Sequence, residues 1–358
     1  MQRLDRLRQL LKEEQLEALY VTDLLNVRYL TGFTGSAGAV LVTHDEAYFI
    51  TDFRYVTQAN KEVTSAKVVI HQQGVDQEVQ KLIEQDQIRT LGIEANQMNV
   101  SQYLKIQKLF DLDIKPTDAL IEKLRQVKDQ EEIAIIRQAC EITDLAFEHI
   151  LNFVKAGVTE LQVANELESF LKNKGASSMS FDTIVASGER SAMPHGVASE
   201  KVIENGDMVT IDFGCYYKGY SSDMTRTFAV GSVSDQLREI YEIVLEAHNR
   251  VIAGTRAGMT GQEVDALARD YITEKGYGQY FGHSTGHGLG LDVHEMPAVS
   301  SRSETVMVEN MVITDEPGIY LPGIGGVRIE DDLIIKENGV ESINSSPKEL
   351  IILTEGEA

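Results

Sequence analysis

The sequence predicts an N-terminal α/β domain followed by a larger α+β domain that repeats itself. Three observations carry this expectation. Helix-type and strand-type hydrophobic patterns alternate through residues 1–120. A helix–turn–helix segment then recurs in fixed register, 150–175 against 251–276, with the Ala-Gly, Thr, Val and Lys-Gly positions coinciding. Strand-like runs carrying acidic residues follow each copy.

A chain of 358 residues, 42% of them hydrophobic, has material for two cores. No apolar run reaches the roughly 18 residues of a membrane span, and the start, MQRLDRLRQLLKEEQ, lacks the apolar centre of a signal peptide. With only Cys140 and Cys215, no disulfide framework or cysteine zinc site is available, and a cytoplasmic location is expected. The net charge of −23 opposes nucleic acid and anionic lipid as partners. It suits a site in which several carboxylates surround cations.

In the first domain, expected to span 1–120, Leu4, Leu7 and Leu11 mark one face of an amphipathic helix. Strand patterns follow at 18–22, 39–42, 47–51, 68–71 and 91–94, with helical patterns at 77–84 and 101–110, and the series ends at Pro116. Gly32, Gly35 and Gly38 read as turn glycines, because no Gly-Lys-Ser/Thr follows and the spacing misses the dinucleotide fingerprint. Asp52 and Arg54 read as a surface ion pair.

The second domain is expected over 121–358. A long charged helical pattern begins at Asp118, and Asp129 with Glu132 resembles a capping box before Ile133, Ile136, Cys140 and Phe147. In the two repeat copies Thr159 with Gln162 and Thr260 with Glu263 have the same capping form. Two related halves would face one another, and clefts favour such interfaces.

After the first copy, MVTIDFGCYYKGYSSDMTRTF suits two strands joined near residues 217–219. A two-residue loop there puts Asp212 and Asp223 on one face, whereas a three-residue loop opposes them. Lys218-Gly219 is suitable turn chemistry, which favours the first arrangement. After the second copy, a glycine-rich turn separates Glu316 from Glu330, although Glu330, Asp331 and Asp332 also fit a polar strand end. The intervening stretch 281–295, FGHSTGHGLGLDVHE, holds His283, His287 and His294. Its interleaved glycines each cost roughly 1 kcal/mol in a helix, so an extended segment is expected. The glycines would let this backbone come close to another group.

Asp212, Asp223, Glu316 and Glu330 with one histidine form an oxygen-rich set that two divalent ions would neutralise. Such ligands suit Mn2+ or Co2+, with Zn2+ also open. Two ions about 3.5–4 Å apart are the usual hydrolytic arrangement.

These residues resemble the pita-bread metallopeptidases, a group holding Xaa-Pro aminopeptidases (aminopeptidase P), Xaa-Pro dipeptidases (prolidases), methionine aminopeptidases and the metal-free creatinases. The match covers nearly the whole chain: the α/β domain, MPHG at 193–196, the Asp212/Asp223 hairpin, the histidine stretch, EPGIY at 316–320 and GGVRIED at 325–331. The resemblance implies a creatinase-like N-terminal domain and a pita-bread catalytic domain with a pseudo-two-fold repeat. It further implies that Asp212, Asp223, His287, Glu316 and Glu330 are the metal ligands. His195, His294 and Glu316 would act in catalysis, while His283, Tyr320 and Arg328 would serve the substrate, and the glycines of 281–295 would let that backbone lie against a peptide substrate. Residues 52–55 are similar to a segment that approaches the partner's site in family dimers, so a homodimer is expected.

The activity implied is hydrolysis of the bond between an N-terminal residue and proline. Alternatives are a methionine-aminopeptidase-like hydrolase or a pita-bread binding protein without turnover. Asp315 departs from the family pattern, which has an apolar residue before the EPG glutamate. On a strand it points away from Glu316 into packed surroundings, where it pairs with a distant cation, protonates or weakens metal retention. Asp315→Val is accordingly expected to raise thermal stability or metal affinity.

Overall fold

A computed structural model describes residues 3–354. Two compact units part after Arg125. Unit 1 is built on a six-stranded sheet of β1 (Ala18–Val21), β2 (Ala39–Thr43), β3 (Ala47–Thr51), β4 (Lys67–Ile70), β5 (Thr90–Glu94) and β6 (Asp113–Thr117), in the order β4-β3-β2-β1-β5-β6. The sheet is mixed: β1 runs antiparallel to β2 and parallel to β5. Its helices are α1 (Arg3–Glu13), α2 (Leu24–Thr31), α3 (Val56–Glu62), α4 (Val75–Gln85), α5 (Val100–Leu109) and α6 (Leu120–Arg125). Leu4, Leu7 and Leu11 form the buried face of α1, as their spacing predicts. Gly32 caps α2 in the left-handed conformation, with φ 78°, so one of the three expected turn glycines has a definite helix-stop role.

The unit edge differs from the expected one after residue 120. Leu120, Ile121 and Leu124 of α6 are buried, and the helix packs on α1 and α2, so it belongs to the first core. The long helical pattern from Asp118 also breaks in two. Lys128 N–H donates to Asn310 O at 3.0 Å and Val127 bridges Met311, which uses this stretch as extended chain. Asp129 then caps α7 (Gln130–Leu151) reciprocally with Glu132.

Unit 2 comprises two similar halves. The first has α7, α8 (Glu160–Asn173), β7 (Ser178–Met179), β8 (Ile184–Ser187), β9 (Met208–Phe213), β10 (Cys215–Tyr217), β11 (Tyr220–Ser221) and β12 (Met224–Val230). The second has α9 (Asp235–Gly254), α10 (Gly261–Glu274), β13 (Gly286–Gly288), β14 (Glu295–Val299), β15 (Val312–Asp315), β16 (Gly318–Leu321), β17 (Gly325–Arg328), β18 (Asp331–Lys336) and β19 (Gly339–Ser342). A last strand, β20 (Ile352–Leu353), returns to the edge of β12.

Thr159 and Thr260 cap α8 and α10 with complete capping boxes. The turn before each helix is tied the same way: Gly157 N–H donates to Ile203 O at 2.9 Å and Gly258 N–H to Met307 O at 2.8 Å. Each half has its own apolar core, Phe147, Leu167, Ile211 and Phe228 in the first and Val244, Val264, Ile313 and Leu333 in the second. Duplicated local signals thus build duplicated packing. The acidic strands lie on the sheets that these helices cover.

Candidate active site

The first two carboxylates are placed by a two-residue turn. Tyr217 pairs with Tyr220, and Lys218 and Gly219 take φ of 47° and 86°, the left-handed pair that a type I′ hairpin requires. The same register opposes Asp212 to Thr225 in β9 and β12, so Asp212, Thr225 and Asp223 share one face. The other two come from β15 and β18, which pair antiparallel with Asp315 opposite Asp331. Glu316 follows the first of these strands and Glu330 precedes the second. Because successive side chains alternate, the two glutamates face away from the two aspartates.

His287 enters from β13. Its Nδ1 lies 3.1 Å from Gly288 O, which sets Nδ1 as the protonated nitrogen. The Nε2 lone pair therefore faces Asp223 Oδ2 at 3.7 Å and Glu316 Oε1 at 3.6 Å. Burial, then the nearby His294, lowers its pKa to about 4, which keeps the ring neutral. His294 packs beside it with ring centroids 4.4 Å apart.

His283 has both nitrogens engaged, Nδ1 with Ser284 O and Nε2 with Tyr320 Oη, each at 2.8 Å. Arg328 Nη1 donates to the same Tyr320 hydroxyl at 2.8 Å, so that hydroxyl donates onward to His283. His283 consequently offers substrate a ring edge rather than a free donor.

A cavity of about 550 Å³ brings these groups together. Its walls include His195, Asp212, Asp223, His283, His287, His294, Glu316, Arg328 and Glu330, with Phe181, Ile184, Val197 and Ala298 as apolar surface. Tyr320 does not line it and instead stands behind His283 and Arg328. Burial pushes Glu316 up to about 8 against the pull of Arg328. Burial, then repulsion by neighbouring carboxylates, also raises Asp223 and Glu330 well above the usual carboxylate range.

The donor set fits a divalent metal. Asp212 Oδ1 and Asp223 Oδ1 are buried and accept no hydrogen bond. Oxygens of Asp223 and Glu330 and a nitrogen of His287 lie within 4.8 Å of one another. Among the described residues, Arg328, 2.6 Å from Asp212 Oδ2, is the cation directly paired with this acidic set, so positive charge is short there. Oxygen and imidazole donors around a charge deficit are what hard or borderline cations bind.

Two comparisons decide the family. Residues 134–337 match the model of Metallopeptidase family M24, and residues 3–127 match the Creatinase/Prolidase N-terminal domain. The chain belongs to metallopeptidase family M24. It is 42% identical to the Xaa-Pro dipeptidase of Pyrococcus furiosus over 98% of this chain and 99% of that one. Among solved structures, the Xaa-Pro dipeptidase from Bacillus anthracis is 55% identical with a TM-score of 0.97, covering 98% of this chain and 99% of that one. The X-Pro aminopeptidase from Thermotoga maritima MSB8 is 40% identical with a TM-score of 0.91, covering 98% and 100%. This M24 chain thus has the creatinase-type N-terminal domain and pita-bread catalytic domain of a metal-dependent peptidase.

For this M24 enzyme three sequence readings change. Gly286 and Gly288 are small because a Cβ at either would collide with the carbonyl oxygens of Thr314 and Met296. They admit neighbouring strands of the protein, and Gly286 also lines the cavity. Thr225 was missed, although its position two residues beyond Asp223 signals a shared face; its hydroxyl donates to Glu330 Oε2 at 2.6 Å. The third change concerns Asp315, whose cation is His248 of α9, 3.0 Å away and equally buried. Removing one member of a buried ion pair is costly, on the order of 3 kcal/mol. Asp315→Val is therefore expected to lower the melting temperature, the reverse of the sequence expectation, and calorimetry of the metal-free chain checks it.

Proposed function

We propose that this chain hydrolyses the peptide bond between an N-terminal residue and proline, with the Xaa-Pro dipeptide as its preferred substrate. The observation carrying this reading is the convergence of Asp212, Asp223, His287, Glu316 and Glu330 on one cavity whose remaining wall holds His195, His294 and Arg328. The dipeptidase names of the Bacillus anthracis and Pyrococcus furiosus proteins support the substrate class. The Thermotoga maritima aminopeptidase supports longer Xaa-Pro peptides as a second reading.

The five residues would hold two divalent ions, Mn2+ before Co2+ or Zn2+ on the hardness of four carboxylates. When bound, the ions supply Lewis acidity, acidifying water and polarising the scissile carbonyl. The protein contributes proton handling and shape. Glu316, on the cavity wall, would take a proton and pass it on. His195 and His294 are exposed on the cavity wall, where a ring N–H can donate to the developing oxyanion. Proline nitrogen carries no hydrogen in the peptide and must gain a proton as it leaves. His283 and the apolar wall give the pyrrolidine ring a surface to rest on.

Phe53 is 80% exposed beside the Asp52–Arg54 ion pair, which supports residues 52–55 as part of a homodimer contact. Two free buried cysteines support a cytoplasmic setting. No helix among the described residues is long and apolar enough to cross a membrane.

The test is a panel of Ala-Pro, an Xaa-Pro-Yaa tripeptide and a Met-Ala peptide on the manganese-loaded chain. Fastest turnover is expected on Ala-Pro. Exclusive cleavage of the tripeptide would move the assignment to aminopeptidase P, and cleavage of Met-Ala alone would end the proline reading. Sedimentation equilibrium of the same sample should return a two-chain particle, and a monomer would remove the dimer.

A further inference from the structure

On the back of the ligand strands lies a buried charge cluster that the reaction does not use. Asp315 and Asp331 are direct cross-strand partners in β15 and β18, and both side chains are fully buried. Like charges placed opposite one another on a strand pair repel, and burial strengthens the repulsion. His248 projects from α9 between them, with Nδ1 3.0 Å from Asp315 Oδ2 and Nε2 3.5 Å from Asp331 Oδ2. Neither contact has the geometry of a linear hydrogen bond, so the ring acts chiefly as charge held between two acids.

The cluster is anchored at its far side. Arg226 Nη2 donates to Asp331 Oδ1 at 2.8 Å, and Lys348 Nζ lies 2.8 Å from Asp331 Oδ2. Arg226 also donates to Glu330 O, at 2.6 Å. Asp315 has His248 as its ion-pair partner, so the two acids are unequally supported. Burial lowers the His248 pKa, but Asp315 and Asp331 outweigh it and push it up to about 9, so the ring is charged at neutral pH.

We infer that His248 is a positioning residue for the metal centre: by bridging Asp315 and Asp331 it fixes the separation of the strand ends that present Glu316 and Glu330. The inference rests on the proposed ligand set. Each bridged aspartate is the chain neighbour of one glutamate, so splaying the pair on the back face spreads the oxygens on the front. Groups that hold metal ligands in place typically contribute 10- to 100-fold in affinity.

The experiment is titration of Mn2+ into the metal-free full-length chain, read by calorimetry well below the melting temperature. His248→Gln keeps the volume but loses the charge and one of two bridging contacts; its Mn2+ Kd is expected to rise about tenfold. His248→Leu/Asp315→Val removes both members of the pair, and its Kd is expected to return to within about threefold of the parent, because deleting a whole buried pair is far milder than halving it. A purely structural pair would shift melting temperature in both variants and leave Kd alone. Asp223→Asn serves as the control for the ligand set. If it weakens Mn2+ while His248→Gln binds like the parent, the positioning role is overturned. Parent-like binding in Asp223→Asn would overturn the ligand set, and this inference with it. A double variant no better than His248→Gln would also overturn the bridging argument.

Discussion

His287→Ala is expected to lose bound metal and to lower kcat/KM by about 1,000-fold or more, as removal of a residue central to a catalytic unit does. The argument is tautomeric. With Nδ1–H directed at Gly288 O, the only lone pair left is on Nε2, and it faces Asp223 and Glu316. A pKa near 4 leaves that lone pair free of a proton at every working pH. His294, tilted beside it but exposed, has no such arrangement. His294→Ala should keep the parent metal content and lose about 100-fold in kcat, the usual contribution of a single acid–base group. Metal analysis with steady-state kinetics on Ala-Pro separates the two. Parent metal content in His287→Ala would take it out of the ligand set.

Local signals were legible in the sequence because their causes are local. Thr159 with Gln162 and Thr260 with Glu263 announce helix starts three residues apart, and Lys218-Gly219 announces a turn whose length decides a face. Strand alternation then carries Asp212 and Asp223 to the same side. What was not legible depends on partners far along the chain. Asp315 reads as a misplaced acid until α9 brings His248 to it, and a lone histidine in an amphipathic helix gives no hint of that destination.

The run Glu330, Asp331, Asp332 reads equally as a polar strand end. In the fold all three are buried, and each has a separate duty. Glu330 faces the cavity, Asp331 meets Arg226 and His248, and Asp332 accepts from Asp223 N–H at 3.0 Å and from Cys140 Sγ at 3.1 Å. Burial of consecutive acids cannot be read from composition, because it depends on which strands enclose them. The unit edge escaped for a similar reason: the charged stretch from Asp118 hides a short helix that packs backward onto α1.

Metal affinity is expected to rise steeply with pH, by about tenfold or more per unit between pH 6.5 and 8, since cations must displace protons from raised carboxyls. Glu316 sits near 8 and Asp223 and Glu330 are likewise raised well above the usual carboxylate range, whereas His287 is already neutral and releases nothing in this window. The same shifts set the stability of the metal-free chain. A carboxyl whose folded pKa lies above its unfolded value of 3.8 or 4.5 stabilises fully below that value, and the contribution is lost as pH rises through the folded pKa. His287 has the opposite shift, from 6.5 to about 4, so its contribution grows up to pH 6.5 and is constant above. From pH 6.5 to 8 the carboxyls therefore dominate, Glu316 alone costing up to about 1.4 kcal/mol per pH unit. Melting temperature of the metal-free chain should fall across that range, and saturating Mn2+ should flatten the fall by replacing the protons. A metal-free melting temperature that rises with pH, or Mn2+ binding indifferent to it, would show that these carboxyls are already ionised and the site is not short of positive charge.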